Sequence, residues 1–412
     1  MLTKKFRPFA LALGALVLIA LVAITALRVH GKASLKRAAA TFERDVHALD
    51  LTTFRRPEVP AVYNAAHWIQ AGTEALALEK GDREFLLGIF RKPYEAFDIE
   101  RARTILTTNR SALDLLHRAT ALEQASYHLD YEAGLDMEIP SLLPHIQAAR
   151  LLLLELRVAL DDQRWDDALV IHSTQRRLAE VLYEETPLIF QLIGLVAEKT
   201  AWTGVQSMLA ADLDDPDTLR VLRQPIGTLT PGERFRRSMG GEGAIFYQLM
   251  DHPEELASSQ DFDWWQEQQL KYLPDASRVQ MLDGLRLLVA NYAGHTALEL
   301  SQDPAVNDPQ VFGPMAKIAG NLMDVAYKFK HTEAIALLAD QALALRLAAV
   351  TDGAYPATWP EVRSPYSGAT FVYRREADGS AVLAAPAMVD TLKVLRPGSP
   401  EIALDRWELP GS

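Results

Sequence analysis

Apolar positions follow two patterns along this chain. Residues Phe9–Leu27 (FALALGALVLIALVAITAL) form an unbroken run of nineteen without a charge. At 1.5 Å rise such a run covers about 28 Å, close to the hydrocarbon thickness of a bilayer. Beyond it, apolar residues recur at helical spacing. Ala33–Leu51 is expected to continue the run as an exposed helix, broken by Pro57 and Pro60. Tyr63–Glu79 and Tyr94–Asp130 also read as helical. In the second stretch Ile99, Ala102 and Ile105 share one face, and Leu113, Leu116 and Ala119 another. Between these sets, Asn109-Arg110-Ser111 reads as a break, with Ser111 as the next N-cap.

Ile146–Leu160 is apolar on most sides and is expected to be a central helix. Trp165, Ala168, Ile171, Leu178 and Leu182 mark the inner face of the next one, so the two form an antiparallel hairpin. Pro187 opens a third helix, whose apolar run Leu188–Ala197 is expected to stop at Glu198 and Lys199. Ten residues cannot span a bilayer, so this run belongs in the core. Further helices are expected at Thr230–Met250, Ser277–Leu300 and Met315–Val350, the last with a kink near Lys330. After Val350 the pattern shortens. Thr370–Arg375 and Ala381–Ala385 read as strands around Asp378-Gly379, a dipeptide suited to a type I′ hairpin turn.

The predicted architecture is mainly α. It has an N-terminal transmembrane helix, an irregular, solenoid-like array of antiparallel helical hairpins, and a small C-terminal β-hairpin unit. The segments are 1–32 (basic tail and anchor), 33–335 (helical array) and 336–412 (helix and β-hairpin tail). Trp165-Asp166-Asp167-Ala168 suits the second helix of a tetratricopeptide unit, but no 34-residue period recurs.

Charge sharpens the reading. The chain carries a net −12, yet residues 1–37 hold seven Lys/Arg and no Asp/Glu. The rest therefore holds 35 basic and 54 acidic residues, a net of −19. An acidic body repels phosphate backbones, so nucleic acid is not an expected partner. Lys4, Lys5 and Arg7 precede the apolar run, and Arg28 follows it at once. The run is longer than the core of a secretory signal, so the expectation is an uncleaved anchor lying in the lipid bilayer through Phe9–Leu27. Gly31-Lys32-Ala33 is the alternative cleavage site. Basic residues flank both ends, so charge counting does not orient the span. A short basic N-terminal tail before one span favours an inner-membrane protein with its body outside the cytoplasm. The chain has no cysteine, which removes disulfides, thiolate metal sites and thiol nucleophiles.

Two parts resemble known groups. Tyr127–Gly134 (YHLDYEAG), Leu142–His145 (LLPH), the helices of 146–184 and Pro187–Leu192 (PLIFQL) resemble a group of uncharacterised bacterial membrane-anchored helical proteins. Ala342–Pro356, Ser364–Gly368 (SPYSG) and Phe371–Arg375 (FVYRR) are similar to the C-terminal part of type II secretion major pseudopilins. That resemblance implies a helix, a Tyr-Pro turn and a β-hairpin. The chain also departs from the pattern. Ser364 replaces the expected Asp, and Leu383–Pro386 (LAAP) replaces the acidic closing segment that could hold calcium. The pilin processing signal is missing, so the chain is not a pilin.

Candidate chemistry is sparse. His295 and Glu299 are four apart, but two ligands without a third make no metal site. Asp212, Asp214, Asp215 and Asp217 cluster, but Arg223 falls where a calcium loop needs its bidentate Glu. Gly240-Gly241-Glu242-Gly243 lacks a phosphate-cradle pattern and reads as a packing or hinge cluster. Glu242 stands near Arg234, Arg236 and Arg237 and is expected to be ion-paired. Glu184 and Glu185 read as solvated. Phe262, Trp264 and Trp265 form the most suggestive aromatic cluster, a tentative binding surface weighed against core packing. No catalytic, cofactor or metal residue set is expected. The favoured function is a non-enzymatic envelope scaffold or interaction module with a protein partner of unknown identity. The alternatives are a hydrolase of envelope material using Glu242 as base, and an accessory of a secretion or pilus system.

Overall fold

Helix α8 (Leu188–Ala210) is the axis of the molecule. Every residue from Ala197 to Leu209 is buried, with Ala197, Trp202, Val205 and Leu209 on one side and Thr200, Thr203 and Ser207, their hydroxyls bonded to carbonyls of the same helix, on the other. A helix buried on every side must be covered on every side. It packs against α6 (Leu143–Asp161), α7 (Trp165–Tyr183), α10 (Pro231–Leu249) and α14 (Ala316–Asp352). The computed structural model describes residues 30–91, 97–251, 274–307, 311–312, 316–388 and 405–411. Helix makes up 69% of the structure, with one small antiparallel sheet, so the mainly α class stands. Phe9–Leu27 and the cluster Phe262, Trp264 and Trp265 lie outside the described residues.

In chain order the remaining helices are α1 (30–45), α2 (Ala65–Glu74), α3 (Lys80–Arg91), α4 (Ile99–Thr108), α5 (Arg110–Thr120), α9 (Pro216–Leu222), α11 (Pro274–Gly294), α12 (Ala297–Gln302) and α13 (Pro304–Asn307). Local chemistry sets their ends. Thr230 and Glu233 form a capping box before Pro231, and Thr296 and Glu299 form another before α12. The break between α4 and α5 falls within Asn109–Ser111, but the capping residue is Asn109 and Ser111 lies inside α5. The Asn109 side chain accepts the Ala77 N–H (2.8 Å) and donates to the Ile105 carbonyl (2.9 Å), tying the break to the loop after α2.

Three expectations need correction. First, α1 is not an exposed continuation of the apolar run. Leu35, Ala38 and Phe42 are buried, with Phe42 against Gly243 of α10. The spacing of these residues gives the helix one apolar stripe, and that stripe is docked. Second, α8 does not stop at Glu198 and Lys199. It runs twelve residues further than Glu198, because both side chains find partners in the interior. Third, α14 passes through Lys330 as one continuous helix of 37 residues. Lys330 is buried with its ammonium 3.3 Å from Glu333, so its charge does not need a kink to reach water. The 335/336 position lies inside this helix.

Among the described residues, one helix is long and apolar enough to cross a membrane, Leu322–Asp352 within α14. Half of that window is buried inside the protein. It packs on α8, α9 and α10, and it carries the buried Arg346 bonded to the Leu213 carbonyl (2.9 Å). These are the contacts of a core helix.

The C-terminal sheet has the order β1 (Val372–Arg375), β2 (Ala381–Ala384), β3 (Arg406–Leu409), all antiparallel. The turn between β1 and β2 is not type I′. Gly379 has φ +90°, but Asp378 does not have positive φ. Gly379 N–H donates to the Glu376 carbonyl (3.2 Å), and Glu376 N–H to the Ser380 carbonyl (2.9 Å). The loop is one turn followed by a left-handed glycine, a common longer hairpin. Strand β3 was not expected. It seats the fully buried Trp407 under β2, beside α8 and α14.

Candidate functional site: an arginine-lined cleft

Three of the four Arg-Arg doublets in the chain, at 55–56, 176–177 and 236–237, lie far apart in sequence. Residues from all three reach one cleft of about 700 Å³. It lies between the second half of α7, the 223–230 loop and the start of α10. Its cations are Arg56, Arg176, Arg177, Arg234 and Arg237, and its carboxylates are Glu123, Glu180 and Glu184.

The residues differ in how they are satisfied. Arg56 reaches Glu184 at 2.6 Å, and Arg177 reaches Glu184 at 3.3 Å and Glu180 at 3.4 Å. Arg176 spans instead to two backbone carbonyls, Gln224 at 2.9 Å and Pro225 at 2.7 Å. Arg237 donates to Thr186 Oγ1 (3.3 Å) and the Glu184 carbonyl (3.0 Å). Burial draws the Arg176 and Arg237 pKa values down. Arg234, 4% exposed, continues into the core. Its guanidinium sits 2.9 Å from Glu198 and lies over the Tyr183 ring at 4.0 Å. Tyr183 Oη donates to the same Glu198 oxygen (2.5 Å) and Trp202 Nε1 to the other (3.3 Å). Burial pushes the Tyr183 hydroxyl well above its ordinary pKa, so it stays a donor.

Beside this cleft is a smaller one of about 270 Å³, sharing Arg56 and lined by His128, Tyr131 and Glu185. Glu185 is 1% exposed, not solvated. Tyr127 N–H donates to it at 2.9 Å, and burial raises its pKa. Glu184 is half-covered and shared by two arginines. The partners that draw them inward, Arg56 for Glu184 and the Tyr127 N–H for Glu185, come from distant parts of the chain.

The other sequence candidates resolve into structure. Gly240, Gly241 and Gly243 are close-approach positions. A Cβ at each would stand 2.5–2.6 Å from His47, Thr186 and Phe42 respectively. Among the described residues Glu242 has no ion pair, and its one hydrogen-bond partner is the Leu188 N–H at 3.2 Å, so it caps α8 from α10. His295 and Glu299 are not on one helix. His295 Nδ1 meets the Asn291 carbonyl (3.0 Å), and Glu299 closes a capping box. Asp212 pairs with Arg346, and Asp215 caps α9. Among the described residues no group of three or more His, Asp or Glu could hold a metal ion.

One arrangement missed in the sequence has the order of a catalytic triad. Glu155 Oε2 meets His117 Nε2 at 2.9 Å, and His117 Nδ1 meets Thr174 Oγ1 at 2.8 Å. However, Thr174 is buried and bonded back to the Val170 carbonyl (3.1 Å). Its hydroxyl does not face a substrate. The chain of bonds joins α5, α6 and α7.

Glu242 yields a pH prediction. Burial pushes its carboxyl up to about 7 from an ordinary 4.5. The folded state therefore holds a proton that the unfolded state releases, and stability falls as pH rises through that interval. Glu242→Gln keeps an acceptor for Leu188 without the charge. It is expected to raise Tm at pH 8 and to leave it near wild type at pH 5, read by thermal unfolding at both values.

No family model matches the chain, and neither a curated protein nor a solved structure matches it significantly.

Proposed function

We propose that the chain is a non-enzymatic, single-pass envelope protein. Phe9–Leu27 anchors it in the inner membrane, and the body outside the cytoplasm works as a protein-interaction scaffold built of solenoid-like helical hairpins. The observation that carries this reading is a set of exposed apolar side chains near a mixed polar and apolar cleft. Ala61, Ile139 and Pro140 line that cleft of about 460 Å³ together with Asn64, His67 and Glu138. Close to these positions in sequence, Val62 and Tyr63 are 62% and 63% exposed and Leu143 is 69% exposed. Large apolar side chains left this exposed suit a protein partner more than water. The docked α1 supports close coupling between anchor and body. The buried titratable groups support a non-catalytic role, since Glu198, Glu242 and the His117–Glu155 pair each join helices.

Photo-crosslinkers at positions 63 and 143 are expected to trap a common protein in cells. One at Val221, also exposed, serves as control. Adducts no stronger than the control would remove the reading. Protease added to spheroplasts is expected to degrade the body, whereas protection until lysis would reverse the topology.

The second reading is a secretion accessory acting through the C-terminal unit. The order of helix α14, Tyr355-Pro356 turn and sheet favours it, with Tyr373 Oη donating to the Pro356 carbonyl at 2.6 Å.

A further inference from the structure

We propose that the arginine-lined cleft is a binding site for a small polyanion carrying at least two oxyanion groups, phosphate or carboxylate. This site is separate from the exposed apolar side chains at Val62, Tyr63 and Leu143 and does not depend on partner binding there.

The argument begins with charge. In a body with a large acidic excess, five arginines from three distant segments converge on one cleft. Arg56 and Arg177 have glutamate partners, and Arg234 has Glu198 below the cleft. Among the described residues Arg176 and Arg237 have none within 4.0 Å, and their donors rest on neutral oxygens. Glu180 and Glu198 act on Arg176, and Glu184 and Glu185 on Arg237, only from beyond that distance, so two guanidinium groups are held in a partly dry place with no carboxylate in contact. That is a cost an arriving anion would remove. Two more donors, Arg177 Nε and Arg234 Nε, are buried without a hydrogen-bond partner.

Shape and rigidity agree with charge. The volume is that of a small-molecule pocket. The 223–230 wall is fixed at one end by the Arg176 clamp on Gln224 and Pro225, and at the other by the Thr230–Glu233 capping box. A pre-set wall lowers the ordering cost of binding. Guanidinium groups present flat forks of N–H donors that match carboxylate and phosphate edges, a fit that ammonium groups lack. The opposing influence is the three lining carboxylates. Glu180 and Glu184 are already engaged by arginine, and Glu123 is exposed and therefore screened. The balance at the two unpaired arginines favours a ligand with two negative groups over a monoanion.

The test uses the full-length protein in detergent, with thermal unfolding followed against pyrophosphate and against citrate. Sodium chloride at matched ionic strength is the baseline. At least one anion is expected to raise Tm beyond that baseline in a saturable way, and the one that does so identifies phosphate or carboxylate as the ligand group. Arg237→Gln and Arg56→Gln are each expected to weaken the apparent affinity tenfold or more. Arg236→Gln, exposed on the same helix, should respond as wild type. The readout is the anion-induced increment, so a lower starting Tm in a variant does not confuse it. If Arg237→Gln does not fold, Arg56→Gln carries the test. The proposal is overturned if neither anion exceeds the chloride baseline, or if the cleft variants respond as Arg236→Gln does.

Discussion

Glu198→Ala is expected to destabilise the body by about 3–5 kcal/mol, the largest effect of any single charge removal in the described core. Glu198 is 2% exposed and accepts from three donors, Arg234, Tyr183 and Trp202. Removing it leaves Arg234, 4% exposed, as a buried cation over the Tyr183 ring with no carboxylate. It also leaves the Tyr183 hydroxyl without its acceptor. Glu198→Gln keeps an acceptor and should cost less. The double change Glu198→Leu with Arg234→Met should recover most of the loss, because an apolar pair of similar size replaces the ion pair without an orphaned charge. Urea denaturation of the four proteins checks this. If the double variant is as unstable as Glu198→Ala alone, the cost came from packing and not from the stranded charge.

The same network shows what was legible in the sequence. The α7 face Ala168, Ile171, Leu178 and Leu182 was readable from spacing, and all four residues are buried. Periodicity is a local property, and a helix with one apolar face displays it. Glu198 and Lys199 were read as the end of α8 because a charge is normally solvated. The cation that pairs with Glu198 stands 36 residues away, and no local pattern announces it. The arginine cleft was hidden for the same reason. Its only sequence trace was the recurrence of Arg-Arg doublets, and each doublet taken alone looked like solvated surface. Strand β3 is four residues long, too short to display alternation, and only the burial of Trp407 reveals its place. Glu242 was expected beside arginines that precede it by five to eight positions. The helix instead turns it toward the start of α8, where a backbone N–H is available.

Phe42→Ala is expected to cost about 3–5 kcal/mol, because it empties a fully buried ring site. The position matters beyond its own burial. The Phe42 ring lies against Gly243 of α10 so closely that a Cβ there would stand 2.5 Å from Cζ. Glycine at 243 and phenylalanine at 42 are therefore one fitted pair. Gly243→Ala alone should destabilise by about 1–3 kcal/mol through overpacking. In the Phe42→Ala background the added methyl enters the vacated space, so it should be neutral or stabilising. A coupling of at least ~1 kcal/mol in this cycle, measured by urea denaturation, would establish the contact in solution. Additive effects would mean that α1 does not rest on α10. A docked α1 keeps the segment that follows it close to the body, whereas a loosened α1 exposes that segment. Phe42→Ala should therefore also make the 46–60 segment cut faster by protease in the detergent-solubilised protein, under conditions where the rest of the body stays intact.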